Sequence, residues 1–120
     1  FLPIRYAGEY FRSLHAARIV LGCNQYNFRR YYGRRMWHSC VSGRLHLTRT
    51  IPGMQEDGFV DGKTIATFDD PDEAVEKVRR YLQNRKERER LAAAQREHIM
   101  RHHTWMNRRD EFEAFAGRYL

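Results

Sequence analysis

Carboxylates are almost missing from the first fifty residues of this 120-residue chain: Glu9 stands alone there, and lysine is absent altogether. Nine arginines leave that stretch with a charge of +8, whereas residues 51–120 carry 13 basic and 14 acidic groups and come out at −1. The net charge of +7 is therefore local to the amino-terminal part. Such a field attracts phosphate in any form and does not choose between nucleic acid, lipid headgroup and nucleotide. Cysteine is scarce too. Cys23 and Cys40 have no metal-ligand spacing and are flanked by apolar residues of an expected strand or helix, so both are read as buried free thiols rather than as a disulfide or a zinc site. No apolar run reaches the length of a membrane-spanning helix. Phe1-Leu2-Pro3-Ile4-Arg5 has neither the basic start nor the long apolar core of a secretory signal. The expectation is a soluble cytoplasmic protein with no membrane span. Repeats and low-complexity segments are absent, and the length suits a single domain, 1–120, with one modest core.

Apolar periodicity divides the chain clearly. Tyr10, Leu14 and Ala17 share one face of a helix over 9–17, and Arg18-Ile19-Val20-Leu21-Gly22 then reads as a buried strand. Residues 23–31 are polar and aromatic without a period, hence a loop. Met36, Trp37, Cys40 and Val41 form the apolar face of the next helix, with Trp37 expected in the core. Gly43 is the residue that most easily adopts the left-handed conformation closing it, and Leu45 and Leu47 alternate in a strand ending at Thr48. Residues 49–53 form a turn, 54–57 one helical turn, and Thr64-Ile65-Ala66-Thr67-Phe68 a third strand. Asp69-Asp70-Pro71-Asp72-Glu73 starts a helix, because aspartate caps free amides, proline is tolerated at the first helical position and carboxylates suit the positive end of the dipole. That helix runs to about Gln83, with Ala74, Val75, Val78, Tyr81 and Leu82 as its buried face. A helix over 86–102 keeps Leu91, Ala94 and Ile99 inside, and a last one from about Thr104 to Tyr119 buries Trp105, Phe112, Phe115 and Tyr119. The mixed-sign run Arg85-Lys86-Glu87-Arg88-Glu89-Arg90 reads as a solvated face.

Strands alternating with helices imply an α/β fold: a partial Rossmann-like three-layer unit with about three mainly parallel strands, followed by carboxyl-terminal helices. Roughly five or six strands is usual for a sheet, so this one looks like part of a larger assembly. In such folds ligands sit at the carboxyl edge of the sheet, where Arg34, Arg35, His38 and Thr48 are expected. The two arginines are candidates for a clamp on an anionic ligand, with ordinary surface ion pairs as the alternative. The loop from Thr48 to Gly53 reads as an ordinary turn, with backbone amides offered to a phosphate or a sugar as the alternative. His98, His102 and His103 have no evident third partner for a metal. Tyr26, Phe28, Tyr31 and Tyr32, interleaved with Arg29, Arg30, Arg34 and Arg35, also suit stacking on single-stranded nucleic acid. A non-catalytic basic module binding nucleic acid or a partner protein is therefore the second reading.

In order along the chain, Arg35-Met36-Trp37-His38 with Ser42-Gly43, Leu45-His46-Leu47-Thr48, Pro52-Gly53-Met54, Asp61-Gly62-Lys63, Asp69 to Glu73, Tyr81-Leu82, Arg88, and His103-Thr104-Trp105 with Arg108 together resemble the carboxyl-terminal part of GT-B glycosyltransferases of the spore-maturation CgeB type. The resemblance implies the donor-binding domain of a two-domain enzyme that moves a sugar from a nucleotide-sugar, such as a UDP- or GDP-sugar, to an acceptor. The acceptor would be held by an amino-terminal domain that this chain lacks. No metal or other cofactor is implied, the nucleotide-sugar being the substrate. Arg35 stands at the family's arginine, Trp37 at its aromatic residue, Gly43 at the glycine ending the helix and Thr48 at the end of the strand. The implied donor-binding residues are Arg34, Arg35, His38, Gly43, Thr48 and Gly53, with catalytic residues unassigned. His38 replaces a family glutamate that accepts from both ribose hydroxyls, and a neutral imidazole accepts only one such bond. Arg30 and Gln55 replace two further family carboxylates. Little or no turnover is expected of the isolated chain, and its aromatic last helix is expected to self-associate in the absence of a partner domain.

Overall fold

A computed structural model of the chain describes residues 7–120. Its elements are α1 (Ala7–Ala16), β1 (Ile19–Gly22), α2 (Arg34–Val41), β2 (Leu45–Arg49), a 3-10 turn (Met54–Asp57), β3 (Ala66–Phe68), α3 (Pro71–Gln83), α4 (Arg85–His102) and α5 (Trp105–Ala116). The three strands form one parallel sheet in the order β1-β2-β3. This is an α/β, Rossmann-like open sheet with helices, followed by carboxyl-terminal helices.

The boundaries follow local chemistry. Gly43, at φ 77°, ends α2 in the left-handed conformation that a side chain would strain. Asp70 caps α3, its Oδ1 accepting from the Glu73 amide at 2.9 Å, and Pro71 follows as the first helical residue. Asn84 does the same for α4 through the Glu87 amide, and Thr104 and Asn107 form a reciprocal capping box on α5. The third strand is shorter than its sequence run: Ile65 makes only an isolated bridge to Asp61, and regular pairing starts at Ala66.

Successive residues of β2 point to opposite faces of the sheet. Leu45 and Leu47 join Ala66, Phe68, Ala74, Tyr81, Leu91 and Ala92 in one core cluster under α3 and α4. On the other face His46 and Thr48 are buried with α2 above them, and a second cluster gathers Met36, Cys40, Ile51, Met54, Phe59, Ile65 and Ile99. Helix α4 reaches both clusters. Gln95, fully buried between Leu91 and Ile99, donates through Nε2 to the His46 carbonyl at 2.8 Å and accepts from the His46 amide at 3.0 Å, one residue before β3 begins to pair with β2.

Several burial expectations are corrected. Trp105, Phe112, Phe115 and Tyr119 are all exposed; α5 ends at Ala116, short of Tyr119, and buries no residue. Val75 and Leu82 are exposed on α3, which buries only Ala74 and Tyr81 and half-buries Val78. Ala94 is half-buried, its place inside being taken by Ala92 and Gln95. Trp37 is half-buried against the second cluster rather than inside it. Cys40 is buried, but Cys23 is exposed, since it follows the end of β1 and no helix covers it.

Candidate functional site

At the carboxyl ends of β1 and β2 a cleft of about 310 Å³ opens beside the first turn of α2. That is the low end of the range for small-molecule sites, roughly 300 to 1,000 Å³. Its floor is Gly22, His46 and Thr48, one wall is the segment from Gly33 to Met36, and residues of the 23–31 loop form the roof. The loop is held in place by Asn24, whose Nδ2 donates to the Tyr31 carbonyl at 2.9 Å. Gly33 lets it close down, because a Cβ there would stand 2.9 Å from Asn24 Oδ1.

Electrostatically the cleft is positive. Helix α2 starts at Gly33, which has no side chain to cap it, and no acidic residue lies in the first turn. The free amides and the positive dipole end thus face the cleft together with Arg34 and Arg35, the arrangement that favours a bound anion. No carboxylate among the described residues lines the space.

His46 is the polar group buried deepest in the floor, at 1% exposure. Its Nδ1 lies 2.6 Å from Ser39 Oγ on α2. Burial, helped by the charge of Arg35, lowers its pKa to about 4, so the ring is neutral at pH 7. Burial likewise pushes the neighbouring Cys40 thiol up to about 12, which leaves it inert.

Of the residues singled out from the sequence, the structure brings Arg34, Arg35 and Thr48 together in this cleft. His38 points elsewhere: its Nδ1 is 3.4 Å from the Tyr10 hydroxyl, and with Trp37, His103 and Trp105 it borders a separate groove that only Arg34 shares with the cleft. Gly43 lies at the opposite end of α2. Gly53 opens the 3-10 turn at φ 78°, packed against Arg29 and Arg30 and outside the cleft lining. Sequence reasoning missed His46, Gly22 and Asn24. The signal for His46 was the alternation Leu45-His46-Leu47-Thr48, which places it on the same face as Thr48.

A second polar centre surrounds Asp57. Its carboxylate bonds Arg30, with Nε at 2.9 Å, and the Tyr32 hydroxyl. The Arg30 guanidinium holds that carboxyl below its usual range, while burial raises the Tyr32 phenol. The Asp57 carbonyl lies 2.9 Å from His98 Nε2 and 3.0 Å from His103 Nε2, and burial lowers the His103 pKa. Arg108 donates to His103 Nδ1 at 2.9 Å, which leaves the proton of the neutral ring on Nε2, directed at the carbonyl. The cluster thus ties α4 and the start of α5 to the 3-10 turn. Among the described residues no group of three or more His, Cys, Asp or Glu side chains is placed to hold a metal ion.

A family model described as glycosyl transferase-like matches residues 2–114. The fold is similar to the solved structure of Anabaena HepE in complex with UDP, with a TM-score of 0.66 and 14% identity over 88% of this chain and 29% of that one. The chain therefore spans less than a third of that protein's length. A comparison with curated proteins finds no match.

Proposed function

The chain belongs to the glycosyl transferase-like family, and from that premise we propose that it is the donor-binding part of a GT-B glycosyltransferase of the spore-maturation CgeB type. In this reading it binds a nucleotide-sugar such as a UDP- or GDP-sugar and needs no metal. The acceptor is held by an amino-terminal domain outside this chain. The observation that carries the proposal is the uncapped start of α2, which opens with Arg34 and Arg35 onto the carboxyl edge of a parallel sheet. The UDP bound by HepE, a protein of similar fold, supports it.

The division of labour is simple. Arg34, Arg35 and the α2 amides take the diphosphate, and they stabilise most strongly the negative charge that grows on the nucleotide as the sugar departs. Tyr26 and Tyr31 in the roof offer ring faces to the base, and Thr48 in the floor offers a hydroxyl. No carboxylate among the described residues lines the cleft, and in this reading the base comes from the acceptor domain. A cytoplasmic location belongs to the same reading; no described helix is long and apolar enough to cross a membrane.

The exposed rings of Tyr26, Phe28 and Tyr31 favour the second reading, base stacking on single-stranded nucleic acid. Against it, Arg29 and Arg30 are paired with Glu56 and Asp57 and are not free for a phosphate chain. Calorimetric titration with UDP, GDP and a single-stranded oligonucleotide at two salt concentrations separates the two. Donor binding is expected to give a UDP or GDP signal that Arg35→Ala weakens by about 1.5 to 3 kcal/mol, the size of a hydrogen bond to a charged group. Tight, steeply salt-dependent oligonucleotide binding without a diphosphate signal would overturn it.

A further inference from the structure

We propose that His46 is a ligand-contacting residue of the cleft, whose Nε2 accepts a hydrogen bond from an O–H or N–H group of the bound nucleoside diphosphate. The inference rests on the donor-binding reading above and adds to the cationic wall an uncharged acceptor in the floor.

Three observations converge on that atom. The first is its tautomer. Ser39 Oγ lies 2.8 Å from the Arg35 carbonyl, 3.2 Å from the Met36 carbonyl and 2.6 Å from His46 Nδ1. A carbonyl oxygen carries no hydrogen, so the 2.8 Å contact requires the single hydroxyl proton to point at Arg35. The contact with Nδ1 then needs a proton from the ring. His46 is accordingly the Nδ1–H tautomer, and its Nε2 presents a lone pair.

The second is direction. His46 lines the cleft although it is nearly wholly buried, and no described residue bonds its Nε2. With no donor among the described residues, that nitrogen is left to take a hydrogen bond from a molecule in the cleft. The third is the room made for it. A Cβ on Gly22 would stand 2.7 Å from His46 Cε1 and closer still to Nε2, and 3.2 Å from Thr48 Oγ1. Any side chain there would cap the nitrogen. With glycine there, the His46 ring fits against the strand, and His46 and Thr48 both stay on the cleft lining.

The ligand that fits carries an anion for the α2 amides and arginines and, on the same molecule, a hydroxyl or N–H that reaches the floor. Inorganic pyrophosphate has the first feature but no sugar hydroxyl or base N–H extending from the phosphates to the floor. A nucleoside diphosphate has both.

The test is a titration of the full chain, with nitrogen-15 in its histidines, by UDP and separately by pyrophosphate, alongside calorimetry on wild type and His46→Leu. The His46 Nε2 resonance is expected to be of the unprotonated type in the free protein and to move toward the hydrogen-bonded position with UDP but not with pyrophosphate. His46→Leu is expected to lose about five- to tenfold in UDP affinity, the worth of one net hydrogen bond, and to keep its pyrophosphate affinity. A protonated Nε2 in the free protein, or UDP binding that leaves the resonance unmoved, would overturn the inference while the donor-binding reading stands. Equal losses for both ligands in a folded His46→Leu would also overturn it, since that is what a purely structural role produces. Failure of wild type to bind UDP at all would overturn both. Because the resonance is read in wild type, the decision does not depend on the variant folding.

Discussion

Burying a histidine as His46 is buried leaves a mark on stability that needs no ligand to detect. The folded pKa is about 4, chiefly through burial and secondarily through Arg35, against 6.5 for the unperturbed ring. Between those values the unfolded chain binds a proton that the folded chain refuses. Stability from this residue is thus unaffected above pH 6.5, falls as the pH drops from 6.5 toward 4, and levels off below that. The full loss is about 3 kcal/mol. Urea midpoints at pH 7, 5.5 and 4.5 are expected to fall in wild type and to fall much less in His46→Leu; parallel profiles would refute the assignment. His103, half-buried, pushes in the same direction in both proteins and cancels from the difference. At this scale the sequence was partly legible. Arg34, Arg35 and Thr48 could be placed from an arginine-rich helix start and a strand end, while His46 was masked by the leucines on either side of it. The pairing of Arg29 and Arg30 with Glu56 and Asp57 joins residues 27 positions apart and has no local signature.

Helix starts were legible because they are local chemistry. Asp70 and Pro71 set the first residue of α3, and Gly43 set the end of α2, as their backbone requirements dictate. What α4 buries was harder to see. Leu91, Gln95 and Ile99 follow each other at four-residue spacing, yet in a helix so rich in Arg and Glu a glutamine reads as one more polar surface residue. Its amide instead takes both backbone groups of His46 and stands in for a strand partner where β3 has not yet begun. The element that covers the sheet is therefore also part of its hydrogen bonding. Gln95→Met keeps the volume and removes both bonds, which leaves a buried N–H and a buried carbonyl unpaired. At about 1 to 3 kcal/mol for each unsatisfied group, partly relieved by relaxation, the loss is expected to be about 2 to 4 kcal/mol in chemical denaturation. A change under about 0.5 kcal/mol, the level typical of a surface substitution, would show that β2 does not depend on α4 for pairing.

At the scale of the whole molecule the chain is extended. Its radius of gyration is 15.6 Å, against about 13.6 Å for a compact domain of this length, and it measures 53 × 31 × 29 Å. Helix α5 accounts for the most open part of that surface. Only its start is tied down, through the bonds of Asn107 to the Arg101 carbonyl and Arg108 to His103, and beyond them it buries nothing. Trp105, Phe112 and Phe115 on α5, and Tyr119 beyond its end, are between 58% and 89% exposed. Periodicity predicts a stripe of these residues and could not show what it faces, because the covering surface is not local to the helix. Large apolar side chains exposed close together are what a protein–protein interface presents. With the chain spanning under a third of HepE, a partner domain is the proposed cover, and in its absence a second copy is the available one. The isolated chain is therefore expected to associate with rising concentration in analytical ultracentrifugation. Phe112→Gln with Phe115→Gln is expected to shift it to monomer while leaving the circular dichroism spectrum and the urea midpoint nearly unchanged, because neither ring contributes to the core. A wild-type chain that sediments as a monomer at every concentration would mean that the stripe does not drive association, and a double variant that unfolds would mean that α5 packs on the body in solution.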